Sequence, residues 1–316
     1  MIKIDLITGF LGSGKTTFLK RYAEYLLGRG QRIGILANDC GAVNIDKLLL
    51  HELESKGCAL EMVAGACDAD CHRRRFKTKL IALGMSRYDR VIVEPSGVFD
   101  IDEFFDALYE PPLDRWYEIG SVIAVADAAL CGELSDGADY LLASQAANAG
   151  AVVLSKTQLV SDDERESAIE HIEAALKKVK CDKNVRDIII AKDWSALTDD
   201  DFERIMNCGY ENSGFVKRGS TDSLGFGSVY IMNESFTGEE LFKISESVFA
   251  DKSCGNVFRI KGFAKDGCGW LEFNATAKSA EVRPSENGQE IIIVIGENLK
   301  EDKIRLIFDR KHQIQS

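Results

Sequence analysis

The stretch Gly9-Phe10-Leu11-Gly12-Ser13-Gly14-Lys15-Thr16 constrains this chain more than any other. It satisfies Gly-x4-Gly-Lys-Ser/Thr and lies where the apolar run Ile2-Thr8 should hand over from strand to helix. Glycines there let backbone N–H groups point at phosphate oxygens, and the helix N-terminus adds its positive dipole. Gly12, Ser13, Gly14, Lys15, Thr16 and Thr17 are therefore the candidate phosphate-binding residues, with Lys15 neutralising the outer phosphates. Thr16 is placed to ligate Mg²⁺. A second apolar strand, Val91-Ile92-Val93, ends in Glu94-Pro95-Ser96-Gly97. Ligands gather at the C-terminal ends of strands in such sheets, so Glu94 is the candidate carboxylate for Mg²⁺. The Gly97 N–H is the candidate sensor of the γ-phosphate.

At 316 residues the chain exceeds the about 250 residues at which single cores stop growing, so two domains are expected. Apolar runs at Ile2-Thr8, Arg32-Ala37, Arg90-Glu94, Ser121-Ala126, Ala151-Leu154 and Asp187-Ala191 read as strands. Between them, helices are expected from Lys15, near Asp102, near Tyr140 and at Ser161, where Glu164 completes a capping box. This alternation predicts an α/β fold, a P-loop NTPase with a largely parallel sheet and helices on both faces. Gly and Ser concentrate over 213–227, which reads as a linker between a nucleotide domain over 1–212 and a small α+β domain over 228–316. In the latter, strands are expected at Ser228-Ile231, Val257-Phe263, Trp270-Ala277 and Ile291-Ile295, with helices at Glu239-Phe249 and at the end.

A net charge of −12 and the lack of a basic stripe with interleaved aromatics argue against a nucleic-acid partner. No stretch approaches the roughly 18 apolar residues of a membrane span, and the N-terminus lacks a secretory signal layout. The expectation is a cytoplasmic protein with no membrane partner. Nine cysteines then read as thiols rather than as a disulfide framework.

With these segments in view, the chain resembles the CobW family of metallochaperone GTPases, relatives of the hydrogenase and urease nickel-insertion GTPases. The resemblance is carried by Gly9 to Thr17, Asn38-Asp39-Cys40-Gly41 leading to Ile45-Asp46, Glu94-Pro95-Ser96-Gly97, Asp127, Gln145 and Ser155-Lys156-Thr157-Gln158. In the C-terminal part it is carried by 258–263 and 293–296. It implies a GTP/GDP cycle with Mg²⁺, and a switch loop over Asn38 to Asp46 with Asp39 near the ion or its water shell. Lys15, Asp39 and Glu94 become the candidate catalytic residues; Asp46 is a further candidate for activating the water. The resemblance also implies a client metalloenzyme or cofactor-dependent protein, and a homodimer is one arrangement that could supply a missing hydrolytic group.

Two motifs depart from the family. Where it usually has Asn-Lys-x-Asp, this chain has Ser155-Lys156-Thr157-Gln158. An aspartate accepts both guanine N–H groups, whereas glutamine offers one acceptor and a donor. Guanine selection should weaken, which leaves ATP as the alternative nucleotide. Where the family has Cys-x-Cys-Cys, this chain has Cys67 and Cys71 at Cys-x3-Cys spacing beside Asp70 and His72. With Cys40, and Cys58 if the fold brings it near, these could hold a transition metal. Thiolates favour Zn²⁺ and accept Co²⁺ or Ni²⁺. Plain reduced thiols are the alternative. Arg73-Arg74-Arg75 could stabilise thiolates, meet an acidic client or form a solvated face. Two further functional readings stay open: an ATP-using small-molecule kinase, and a nucleotide-dependent adaptor with no metal cargo.

Overall fold

The computed structural model describes residues 1–39, 50, 53–64, 69–97, 101–130, 134–211, 213–214, 226–267, 269–285, 288 and 290–309; the side chains of 38, 39, 64 and 69–72 lie outside the description. The chain divides into two compact units, Met1–Gly219 and Ser220–Ser316.

In the first unit the strands are β1 (Ile2–Thr8), β2 (Ile33–Asp39), β3 (Ala59–Ala64), β4 (Arg90–Glu94), β5 (Tyr117–Asp127), β6 (Ala151–Ser155) and β7 (Ile189–Ile190). They form one parallel sheet in the order β3-β2-β4-β1-β5-β6-β7. All five residues of β4 are buried, which is why its middle three, Val91-Ile92-Val93, are apolar without alternation. The helices are α1 (Lys15–Gly28), α2 (Ala69–Met85), α3 (Ile101–Leu108), α4 (Leu113–Trp116), α5 (Asp136–Asn148), α6 (Asp162–Lys178) and α7 (Asp199–Met206). Phe18, Leu19, Tyr22 and Leu26 of α1 pack on Ile7, Ile33, Ile35 and Ile92 of the sheet. The capping box at Ser161 and Glu164 forms as expected, and Thr198 with Asp201 makes another at the start of α7.

Several elements differ from the sequence reading. The segment expected as a strand over Asp187-Ala191 keeps only two strand residues, after a 3-10 turn at Val185–Ile188. Helix α5 starts at Asp136, capped by the Ser135 hydroxyl. Strand β3 and helices α2, α4 and α7 had no counterpart; α2 opens with a polar, arginine-rich half that hides its helical period.

Beneath the site edge, a buried charge pair ties three strands and α1 together. The β1/β5 register shifts by one residue between Ile4 and Leu6. At that irregularity the Ser121 N–H donates to Asp5 Oδ1 at 2.8 Å. Tyr22 donates to Asp5 Oδ2 at 2.7 Å, and Arg90 Nη1 reaches both carboxylate oxygens at 2.6 Å. Gly120 leaves the necessary room, since a Cβ there would stand 2.3 Å from Asp5 Oδ1.

The second unit is a five-stranded antiparallel sheet in the order β11-β10-β9-β12-β8. Its strands are β8 (Phe226–Met232), β9 (Asn256–Asp266), β10 (Gly269–Thr276), β11 (Ser279–Ser285) and β12 (Ile291–Glu297), and its helices are α8 (Gly238–Ala250) and α9 (Glu301–Asp309). Leu241, Ile244 and Val248 of α8 and Ile304 and Phe308 of α9 pack on Val229, Ile260, Phe273 and Val294. Phe226 and Gly227, read as linker, pair with Glu297 and Gly296. Strand β11 was missed because it is exposed and carries Pro284, a residue tolerated at a sheet edge.

Asp5 and Arg90 are 0% and 4% exposed at their side chains. Removing one partner strands the other's charge, so Asp5→Ala should lower stability by about 3–5 kcal/mol. The shift of the denaturant midpoint measures this, and a change under about 0.5 kcal/mol would place the pair outside the energetics that matter.

Candidate functional site

The loop between β1 and α1 has the backbone that its glycines allow. Gly12 and Gly14 sit at φ 79° and 92°, in the left-handed region. At Gly9 (φ 150°) a Cβ would lie 2.2 Å from the Val125 carbonyl oxygen. Lys15, 9% exposed, donates from Nζ to the Gly9 carbonyl at 3.0 Å and that of Phe10 at 3.4 Å, so its ammonium lies across the loop. Ser13 Oγ is buried without a hydrogen-bond partner among the described residues. A buried hydroxyl costs free energy until an acceptor arrives, and a phosphate oxygen is such an acceptor.

Opposite the loop, β4 pairs with both β1 and β2 and brings Glu94 to the same edge. Thr16 donates to Glu94 Oε1 at 2.7 Å. Two cis oxygens on an octahedral Mg²⁺ at about 2.1 Å stand roughly 3 Å apart, so the pair fits a shared ion. Gly97 follows closely against the loop: a Cβ on it would meet Leu11 N at 2.7 Å. Its carbonyl accepts a 3.1 Å hydrogen bond from Gln145 Nε2 of α5.

The segment Ser155-Lys156-Thr157-Gln158 begins at the last residue of β6. Lys156 takes a left-handed backbone (φ 57°), and its Nζ reaches Asp127 Oδ2 at 2.5 Å. The other oxygen of Asp127 accepts the Ala129 N–H at 2.8 Å, which fixes the carboxylate at the end of β5. Ser155 Oγ donates to the Ala126 carbonyl at 3.3 Å. Gln158 lies exposed on the 3-10 turn Thr157–Leu159. Sequence reasoning missed Trp194, whose Nε1 donates to the Leu154 carbonyl at 2.8 Å. The indole edge would lie 3.2 Å from a Cβ on Gly14, so it packs behind the phosphate loop; no motif announces it.

Of the proposed metal ligands, Cys40 and Cys67 lie outside the described residues, as does Asp46. Cys71 and His72 fall in the first turn of α2, with side chains outside the description. Among the described residues no group of three or more His, Cys, Asp or Glu gathers as a metal site. Cys58 stands just before β3, at the opposite end of that strand from Ala64, about 17 Å away along its six residues. Cys58 is buried, and burial together with the nearby Glu54 pushes its thiol up to about 12. Burial likewise raises Cys208 to about 11, while Cys181 and Cys254 are buried. Arg73 is committed to Glu110 at 2.6 Å, at the far end of α3. His171 meets Asp139 at 2.8 Å.

A parallel sheet with a glycine-built phosphate loop after its central strand and a carboxylate facing it defines a P-loop nucleotide-binding protein. Residues 3–186 match the family model of the CobW/HypB/UreG nucleotide-binding domain, and the chain belongs to that family. It is 26% identical over 168 residues to the zinc chaperone YeiR of Escherichia coli, covering 53% of this chain and 50% of that one. To the E. coli zinc chaperone YjiA it is 26% identical over 172 residues, 52% of each. The zinc-regulated GTPase metalloprotein activator 1 of Dictyostelium discoideum is 26% identical over 311 residues, 83% of this chain and 62% of that one. The matched region thus spans about half the length of the two E. coli relatives. Among solved structures, the Zn(II)-bound YjiA GTPase of E. coli covers 98% of both chains at 19% identity with a TM-score of 0.39. Among the described residues no helix is long and apolar enough to cross a membrane.

With its thiol near 12, Cys58 is thiolate in only about one molecule in ten thousand at pH 8. It should resist alkylation in the native chain at that pH and react once urea unfolds it. Peptide mapping checks this, and rapid native labelling at Cys58 would contradict the burial described above.

Proposed function

We propose that this chain binds and hydrolyses GTP with Mg²⁺ and couples the nucleotide state to the binding and transfer of a transition metal, zinc first, to a client metalloenzyme or cofactor-dependent protein. One observation carries the reading: the elements leading to the phosphate, Mg²⁺ and thiol motifs end at one edge of the sheet. Ala37 pairs with Glu94, and two residues further on Asp39 pairs with Ala64. Cys40 follows Asp39 directly in sequence, and Cys67 follows Ala64 by three residues. A carboxylate drawn toward Mg²⁺ is therefore linked to the strand ends that lead into the thiol-bearing segments.

Each residue has a role in this reading. Lys15 and the N–H groups of Gly12 to Thr17 bind the phosphates. Thr16 and Glu94 hold Mg²⁺, directly or through water, and Gly97 answers the γ-phosphate. Mg²⁺ supplies charge neutralisation of the phosphates when bound. Asp39 and Asp46 are the candidates for placing the attacking water, and basal turnover is slow where a client or a second copy completes the site. Cys40, Cys67, Cys71 and His72 take the metal as cargo; an open ligand set suits an ion that must be given away. The relatives named zinc chaperones and a zinc-regulated GTPase support this reading over phosphoryl transfer to a small molecule and over a metal-free adaptor.

By linkage, a nucleotide that alters metal affinity is itself altered by metal by the same factor. The zinc Kd should therefore differ at least about fivefold between the GDP form and a form holding a non-hydrolysable GTP analogue. Cys67→Ala with Cys71→Ala should abolish that difference. Equal zinc affinities in both forms of the wild type would sink the coupling.

Base reading gives a separate test. The exposed Gln158 cannot offer the paired acceptors that guanine asks for, so the wild type should show a shallow GTP-over-ATP preference. Gln158→Asp should steepen it by about tenfold or more. If the two affinities keep their ratio, base choice does not rest on this residue.

A further inference from the structure

Gln145 lies on α5, a helix buried along nearly its whole length, and is itself 1% exposed. Its Nε2 donates to the Gly97 carbonyl. A carbonyl only accepts, so the amide orientation is fixed, with nitrogen toward Gly97 and Oε1 turned away. That Oε1 is buried with no hydrogen-bond partner among the described residues. From the other side Gly97 is pressed on the phosphate loop, where a Cβ would come within 2.9 Å of Leu11 Cα as well as 2.7 Å of its nitrogen. Its φ does not lie in the left-handed region, so glycine is needed here for closeness and not for backbone freedom. The backbone at Gly97 is thus clamped between Leu11 and Gln145. A buried amide with one half idle is costly unless another state of the site uses it.

We propose that Gln145 is the positioning residue of the triphosphate sensor: it holds the Gly97 backbone against the phosphate loop so that the Gly97 N–H meets the γ-phosphate, and its Oε1 accepts a hydrogen bond in the triphosphate-bound form. This rests on the nucleotide reading above. GDP has no γ-phosphate and draws nothing from Gly97, so Gln145 should matter to the triphosphate alone. A merely structural glutamine would weaken both nucleotides together or neither.

The test measures Kd for Mg²⁺ with GDP and with a non-hydrolysable GTP analogue, on the full chain, for wild type, Gln145→Met and Gln145→Glu. The first variant keeps the volume, and the second keeps the shape but turns an acceptor toward the Gly97 carbonyl. In both, the analogue should weaken by about tenfold while GDP changes by less than about twofold. Equal changes for the two nucleotides, or none, would overturn the inference. Should neither variant fold, the side-chain amide resonance of Gln145 in the ¹⁵N-labelled wild type decides: it should shift between the GDP and analogue forms, and an unmoved resonance rejects the role. A wild type that binds neither nucleotide would sink the nucleotide reading itself. One that prefers the analogue, with both variants retaining that preference, sinks only the part given to Gln145.

Discussion

The site depends on how closely the phosphate loop approaches its neighbours at three glycines, where a side chain would not fit. Gly9 stands against the Val125 carbonyl of β5, Gly14 against the indole of Trp194, and Gly97 against the backbone of Leu11. A methyl group at Gly9 or Gly97 would force the loop away from its sheet. The loop's N–H groups can converge on a phosphate only because β1 lies between β4 and β5 and the loop is drawn down onto both neighbours. Lys15 and Ser13, held within this frame, carry polar atoms for which phosphate is the natural partner.

Rigidity below the edge supports this closeness. The Asp5–Arg90 pair, with Tyr22 and the Ser121 N–H, joins β1, β4, β5 and α1 beneath the loop. Breaking a fully buried pair is expensive, and the network sits in the strands that carry the loop and Glu94. Above it, Thr16 links α1 to Glu94, and Gln145 links α5 to Gly97. The nucleotide is thus met by helix and strand ends that are already tied together, while the segments leading to the thiols leave from β2 and β3 on the outer side of β4.

Much of this was legible in the residues. The phosphate loop, Glu94 at its strand end and the capping box at Ser161 follow from local rules of backbone geometry, so spacing alone places them. Elements whose stability comes from neighbours were harder to read. Helix α2 begins in a run of arginines, and Arg73 finds its partner at Glu110, 37 positions away. Strand β7 is shorter than its apolar run suggests, because a 3-10 turn takes over Val185 to Ile188. Cys58 looked available as a ligand by residue type alone, whereas the fold buries it at the start of β3 and burial holds its thiol protonated.

By itself the sequence determined the class of chemistry: glycines at fixed intervals before Lys15-Thr16 permit a phosphate cradle and little else, since that geometry is encoded within eight residues. The order of the strands was a tertiary decision. That order sets Glu94 beside Thr16, buries Cys58 and leaves Gln158 exposed while Gln145 is sealed against Gly97. The two glutamines have the same side chain and opposite surroundings. Burial and partnership across the sheet, which no local spacing encodes, separate a residue facing water from one clamped against the phosphate loop.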